Sequence, residues 1–238
     1  MLLLSESGEK YLKKEVITKL RFEYRNQFDS LKLRILDMGK LISEILRKTI
    51  SVVHNSDTEL AKMISESDSE VDKMERDIES SCLRIVSLQS PFASDLRAVT
   101  GYLKIITDLE RIADHCADIC EIVSMGNLSK NSECLKKTVS ILEKIFELYE
   151  KTCNACFKLD ADAACSIYKA DDEIDRMFSE IIFEISDSIS KGCFSVYSGA
   201  DLMFIAKYAE RMGDHCANIS KWIIYINVGF FPDKNFFN

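Results

Sequence analysis

Proline and glycine are scarce in this sequence of 238 residues, which contains two and eight of them respectively. Because both residues interrupt helices, their scarcity favours long, uninterrupted helices. A surplus of basic residues is also missing, since 39 Asp and Glu outnumber 31 Lys and Arg and leave a net charge of −8. Nucleic acids are bound through phosphate contacts that need such a surplus, so we expect no nucleic-acid partner.

Long hydrophobic runs and an export signal are missing as well. No segment offers the roughly twenty consecutive apolar residues of a membrane-spanning helix, and the most apolar run is WIIYINVGFF near the end of the chain. The opening residues MLLLSESGEK have a short apolar run and no basic start, unlike a signal peptide. We therefore expect a cytoplasmic protein whose nine cysteines are reduced thiols.

Helical periodicity dominates what the sequence does contain. Apolar residues recur at steps of three and four, for example over 71–85 and 174–185. The stretch SPFASDLR predicts a helix start, with Ser90 as the cap and Pro91 in the first turn. Sparse break signals divide the chain into six predicted helices, at 26–53, 57–88, 92–125, 132–157, 161–190 and 199–227.

Two motifs occur in the same order in both halves of the chain. SDSEVDKM precedes ERIADHCAD in the first half, and ADDEIDRM precedes ERMGDHCAN in the second, each pair about 40 residues apart. This duplication predicts an all-α fold of two tandem, pseudo-symmetric three-helix bundles. The predicted parts are an N-terminal extension at 1–24, which is a helical extension or a continuation of the first helix, a first repeat at 25–127 and a second repeat at 132–229.

Acidic residues four positions apart share a helix face. The pattern acidic-x-x-x-Asp occurs in both halves, at 68 and 72, 110 and 114, 171 and 175, and 210 and 214. Like charges at this spacing repel each other, so the repetition favours a cation between them, and oxygen ligands suit Mg²⁺, Ca²⁺, Mn²⁺ and iron. The alternative is a solvated acidic face without a metal. We predict one metal site in each half, from Asp68, Asp72, Glu110, Asp114 and Asp118, and from Asp171, Asp175, Glu210, Asp214 and Asn218.

The His-Cys pair inside each motif lies on a different face of the helix from the acidic residues. His115 and His215 directly follow the motif aspartates, so each lies about 100° around the helix from the acidic stripe. We expect them to support the site or to make a polar contact between helices. Cys116 and Cys216 are expected to pack in the core. The lone CNAC of residues 153–156 cannot close a tetrahedral zinc site.

Four stretches together resemble the PhoU family over roughly residues 25–229. They are DSEVDKMERDIE, SPFASDLRAVTGYLKIITDLERIADHCADI, DDEIDRM and ADLMFIAKYAERMGDHCANISKWIIYINVG. The resemblance implies a PhoU-like fold of tandem three-helix bundles that binds multinuclear metal clusters through the acidic motifs. Iron is the metal it implies first, with zinc, manganese or magnesium as alternatives, and Asp118 and Asn218 would be further ligands.

The resemblance also implies a function. PhoU-like proteins are metal-binding regulatory adaptors that couple the ATPase subunit of a phosphate ABC transporter to a sensor histidine kinase and repress the phosphate-starvation response. It implies a non-enzymatic homodimer that reaches the membrane only through its partners. The residues leave two alternatives open, a metal-free helical scaffold and a ferritin-like di-metal enzyme. The second requires Glu-x-x-His motifs, and the sequence contains none.

Differences between the halves predict that their sites are not equivalent. Asn218 stands where the first half has Asp118, so the second site carries one charge fewer and is expected to bind metal more weakly. Glu75 in the first half aligns with Phe178 in the second. The sequence also lacks a Gly-rich phosphate-binding loop and a basic patch, so we expect phosphate to be sensed through partners.

Overall fold

The described residues form seven helices. The structure is a computed structural model that describes residues 6–65, 69–89, 93–128, 132–193, 195–232 and 236, without the side chains of 6–22, 24, 88 and 89. The helices are α1 (Glu6–Asn55), α2 (Thr58–Ser65), α3 (Ser69–Gln89), α4 (Ala93–Ser124), α5 (Glu133–Lys158), α6 (Ala161–Ser190) and α7 (Val196–Val228). Within the described residues there is no strand, which confirms the all-α prediction.

Local signals in the second repeat explain where its helices begin and end. Ser132, Asp160 and Ser195 precede α5, α6 and α7, and each side chain accepts a hydrogen bond from the backbone N–H three residues on. These bonds satisfy donors that the first turn of a helix leaves free. Helix α7 ends at Gly229, whose φ of 89° lies in the left-handed region that glycine adopts without strain.

The two repeats share one hydrophobic core. Helices α1 to α4 form the first bundle and α5 to α7 the second, and the bundles meet where α4 packs on α7 and α1 packs on α5. Gly101 near the start of α4 lies against Ile226 near the end of α7, whereas His115 further along α4 meets Tyr208. Helices α4 and α7, which carry the two ERxxDHCA motifs, therefore run antiparallel.

Close approach at this interface depends on the absence of a side chain at one position. A Cβ atom at Gly101 would lie 2.5 Å from Cγ1 of Ile226, well inside van der Waals contact. On the other contact between the repeats, the buried Tyr149 hydroxyl of α5 donates a 2.9 Å hydrogen bond to the carbonyl oxygen of Gly39 in α1. The repeats are thus packed against each other and act as one body around the motif helices.

Most of the predicted helices agree with the structure to within a few residues. The first begins earlier than predicted, because α1 is continuous from Glu6 and includes most of the extension. Over predicted helix 57–88 the structure describes α2 and α3, and residues 66–68 lie outside the described part, as do Ser90 and Pro91. Among the described helices, none is long and apolar enough to cross a membrane.

Candidate metal centre

Three carboxylates of the first repeat converge between α3 and α4. Asp72 lies in the first turn of α3, and Glu110 and Asp114 lie one turn apart on α4. Each of the three offers a carboxylate oxygen within 4.8 Å of the oxygens of the other two, and all three side chains are half-buried. Ca²⁺ and Mg²⁺ bind carboxylate oxygens at about 2.0 to 2.6 Å, so oxygens this close can share one ion.

The charge balance of this cluster favours a cation. Burial raises the pKa of Glu110 from 4.5 to about 7, and repulsion from Asp114 adds to the rise. Arg111 partly offsets it, because its guanidinium lies 3.4 Å from Glu110 and 2.8 Å from Asp114. Glu75 accepts a 3.1 Å hydrogen bond from the Thr107 hydroxyl and adds another negative charge nearby. A bound cation would stabilise the ionised form of these groups.

The corresponding side chains of the second repeat lie on α6 and α7. Burial, followed by repulsion from Asp214 and Asp175, raises the pKa of Asp171 to about 7. Its Oδ1 atom is buried and has no hydrogen-bond partner within the described part of the chain. Gly213 of α7 leaves room for that carboxylate, since a Cβ atom at Gly213 would lie 3.2 Å from the same oxygen.

The second cluster differs from the first in having two lysines nearby. The Lys207 ammonium lies 2.6 Å from Glu210 and 5.2 Å from the centre of the Phe178 ring. Lys221 lowers the pKa of Asp171, against the larger effect of burial. Asp175 and Asp214 are exposed, and among the described residues no three acids of the second repeat converge as those of the first do. The second cluster is therefore partly neutralised by its own lysines.

Two of the remaining predicted ligands, Asp118 and Asn218, have other partners. Asp118 turns to the imidazole of His115, with 3.3 Å between its Oδ2 and Nδ1. Asn218 accepts a 3.4 Å hydrogen bond from the Lys221 ammonium. Asp68 is outside the described residues, so the structure shows nothing of its position. The first-half site thus has three described carboxylates at ligand spacing. Asp118 instead forms a hydrogen bond with His115.

The two motif histidines meet between the repeats. The buried His115 ring lies 5.2 Å from the Tyr208 ring and 5.6 Å from the His215 ring, centre to centre. His215 Nδ1 lies 2.8 Å from Asp108 Oδ1 on the opposite helix, which confirms a polar contact between helices. Burial lowers the pKa of His115 despite its hydrogen bond to Asp118. Cys116 and Cys216 are fully buried, as predicted.

Sequence reasoning overlooked the residues that make the two sites differ most. Lys207 forms an ion pair with Glu210, and Lys221 lowers the pKa of Asp171. Thr107 and Glu121 stand at the matching positions, 100 residues earlier. Asp108, the partner of His215, likewise matches Tyr208. These differences could have been found in the sequence, because aligning the ERxxDHCA motif of α4 with that of α7 shows which residues are exchanged. The alignment becomes informative only once the contacts are known.

Comparison with known proteins accounts for both repeats. The family model described as "PhoU domain" matches residues 35–123 and again residues 138–223. The chain belongs to the PhoU family. Both matched segments of this PhoU chain include an ERxxDHCA motif and the acidic pair of the preceding helix.

Individual relatives of this PhoU chain cover most of its length. The phosphate-specific transport system accessory protein PhoU of Serratia marcescens is 30% identical over 87% of this chain and 85% of its own. The Escherichia coli K12 protein of the same name is 29% identical over 85% and 84%. A crystal structure of the phosphate transport system regulatory protein PhoU from Streptococcus pneumoniae matches at a TM-score of 0.82 and 27% identity, over 88% of this chain and 99% of its own. This likeness confirms the tandem three-helix bundles.

Proposed function

We propose that this chain is a metal-binding accessory protein that regulates phosphate uptake and phosphate-starvation signalling. The observation that carries the proposal is the match of the PhoU domain to both repeats, together with relatives named as accessory proteins of the phosphate-specific transport system. The partners we propose are the ATPase subunit of a phosphate transporter and a sensor histidine kinase, with the chain acting as a negative regulator. We further propose a cytoplasmic homodimer that reaches the membrane through these partners.

The metal part of the proposal rests on the first repeat. Asp72, Glu110 and Asp114 supply oxygen atoms at ligand spacing, a donor set that suits iron, manganese or magnesium. A bound cation would neutralise these carboxylates and connect α3 to α4. Arg111 already contacts Glu110 and Asp114, so it would have to yield part of its ion pairing when a cation arrives. In the second repeat Asp171 and Asp214 are the expected ligands, at lower affinity.

A regulatory role fits the use of the polar groups better than catalysis does. The histidines beside the acidic clusters contact Asp108, Asp118 and each other between the repeats. They hold helices together, and neither is placed as the Glu-x-x-His ligand that a ferritin-like di-metal site needs. A rigid body with ion sites at helix interfaces suits an adaptor whose shape or surface responds to its ligand.

Metal analysis tests the first-repeat site. We expect Glu110→Gln/Asp114→Asn to reduce iron or manganese bound by the purified chain at least tenfold, because removing ligands typically costs this much or more. The matched control is Glu210→Gln/Asp214→Asn, for which we expect a smaller loss. Equal metal content in wild type and the first variant, with both folded by circular dichroism, would refute the first-repeat site.

Gene deletion tests the regulatory part independently of the metal. We expect loss of the gene to release phosphate-responsive expression in phosphate-replete medium, and the purified chain to retain the transporter ATPase subunit in a pull-down. Complementation with Glu110→Gln/Asp114→Asn then shows whether regulation requires the cluster. Repression that is unchanged in the deletion strain would contradict the proposed regulation.

A further inference from the structure

A second polar site lies on the first repeat, in a cleft of about 260 Å³ between α1 and α3. Its polar lining consists of Asn26, Gln27, Ser30, Arg34, Ser81 and Arg84. Among the described residues of this lining there is no Asp or Glu, although the chain has 39 of them. Arg84 follows Asp72 by 12 residues, which is about 18 Å along a helix. The cleft is therefore distinct from the carboxylate cluster and opposite to it in charge.

One of the two arginines is held in place. The Arg34 guanidinium donates a 2.6 Å hydrogen bond to the Ser81 hydroxyl and a 3.3 Å bond to the carbonyl oxygen of Asp77. Its distance to the Asp77 carboxylate is 3.7 Å, and that carboxylate is more than half exposed, so the ion pair is loose. Arg34 keeps donors for a further acceptor, because a guanidinium carries five N–H groups.

The other arginine and a glutamine leave the cleft incompletely paired. Arg84 is exposed and forms no ion pair within the described part of the chain. The Oε1 atom of Gln27 is buried, and among the described residues it has no hydrogen-bond partner. The oxygen and nitrogen of an amide are interchangeable in assignment, so Gln27 can equally present its N–H groups there.

The second repeat provides an internal comparison. A shift of 103 residues relates Asp72 to Asp175, and the same shift relates Arg34 to Lys137 and Ser81 to Glu184. Lys137 and Glu184 form a direct ion pair, so the second repeat supplies the anion for its own cation. Arg84 corresponds to Asp187, which pairs with Lys191 at 2.5 Å. The first repeat has a hydroxyl and a second cation where the second repeat has two carboxylates.

We propose that this cleft binds a phosphate group, carried by inorganic phosphate or by a phosphomonoester, between the guanidinium groups of Arg34 and Arg84. Guanidinium groups bind phosphate oxygens through paired, charge-assisted hydrogen bonds, and Ser30 and Gln27 line the same cleft. Such a site needs no Gly-rich loop, so it revises the expectation that phosphate is sensed only through partners. It goes beyond the proposed function and requires no metal.

Phosphate titration of the metal-free full-length chain tests this site. We expect inorganic phosphate to bind saturably at constant ionic strength, and Arg84→Gln to weaken binding at least tenfold. Ser81→Glu places the counter-ion of the second repeat beside Arg34 without removing an arginine, and we expect the same loss. Because Lys137 and Glu184 show that this arrangement is compatible with the fold, Ser81→Glu keeps the test informative even where an arginine variant is unstable.

Three comparisons decide the outcome. Arg176→Gln removes an exposed arginine elsewhere and should leave phosphate binding unchanged. Phosphoethanolamine tests the phosphomonoester source, and tighter binding than inorganic phosphate would support that source. Sulfate binding as tight as phosphate binding overturns the phosphate assignment. Absence of saturable binding by both phosphate compounds, or equal phosphate affinity in wild type, Arg84→Gln and Ser81→Glu, overturns the site.

Discussion

The two repeats share a fold but balance their charges in opposite ways. At the acidic motifs the first repeat adds Glu75, whereas the second places Lys207 against Glu210 and Lys221 near Asp171. Both clusters have counter-ions in the chain, because Arg76 and Arg111 contact the first and lysines lie near the second. Only the first brings three carboxylates together at ligand spacing among the described residues. Duplication preserved the helices and the motif aspartates, while exchanges around them made one cluster better suited to an external cation.

A second difference between the repeats lies between α1 and α3 and concerns positive instead of negative side chains. Arg34 faces a hydroxyl and lies in a cleft with Arg84, whereas the matching Lys137 faces Glu184. At the matching position the second repeat thus satisfies its charges internally, whereas between α1 and α3 the first repeat leaves arginine donors for a ligand. We therefore expect the proposed ligand sites in the first repeat.

The largest expected effect comes from removing the lysines of the second cluster. Lys207→Thr/Lys221→Glu gives the second repeat the residues of the first at positions 107 and 121. We expect metal affinity of the second site to rise about 10- to 100-fold, the range that residues neighbouring a metal site typically control. Metal titration by calorimetry measures this change. An unchanged second binding event would show that charge balance does not separate the repeats.

The histidine contacts between the repeats predict the next largest effect. Asp108→Ala removes the partner of His215, a pair whose two side chains are each less than 20% exposed. We expect the free energy of unfolding to fall by about 2 kcal/mol, because a buried polar group loses its partner. Tyr208→Phe at the matching position removes only a hydroxyl and should change stability by less than about 0.5 kcal/mol. Urea denaturation compares the two, and equal losses would contradict the asymmetry.

The pH dependence of stability reports on the first cluster. In the metal-free folded protein the pKa of Glu110 is about 7, whereas the ordinary pKa of a Glu side chain is 4.5. Between these two pH values the folded state therefore binds more protons than the unfolded state. The free energy of unfolding should therefore fall as pH rises from about 4.5 to 7 and then level off. We expect Glu110→Gln to remove about 1 kcal/mol of this fall.

Urea denaturation of metal-free protein between pH 5 and pH 8 measures that contribution. Asp171, whose pKa is raised in the same direction, will keep part of the pH dependence in the variant. Glu133→Gln, at an exposed position, provides the control for the substitution itself. A pH profile of Glu110→Gln that superimposes on wild type would show that Glu110 is not held in its protonated form.

The smallest effect is expected at the ion pair of the second repeat. Lys137 and Glu184 are both more than a third exposed, so a double-mutant cycle to alanine should give a small coupling that weakens in high salt. Adding phosphate should change the stability of these variants and of wild type by the same amount, because Lys137 is not part of the first-repeat cleft. A larger, salt-insensitive coupling would mean that the pair is more buried than the structure shows.

The sequence predicted the helices and the pairing of the acidic residues. Periodicity over α3, α4, α6 and α7, with the scarcity of proline and glycine, was sufficient for an all-α fold. Four-residue spacing placed Glu110 and Asp114 on one face of α4, because that relation is local and fixed by the helix itself. The same helix geometry places His115, one residue after Asp114, about 100° around the helix from that face.

Contacts between helices could not be predicted in this way. That His215 meets Asp108, and that Arg34 and Arg84 line one cleft, depend on how helices distant in sequence pack. The sequence by itself determined the repeated helices and which residues share a face, since helix geometry links only near neighbours. The tertiary structure decided which charges meet, because only packing sets the distances and the burial that determine whether a charge is neutralised by the chain or left for a ligand.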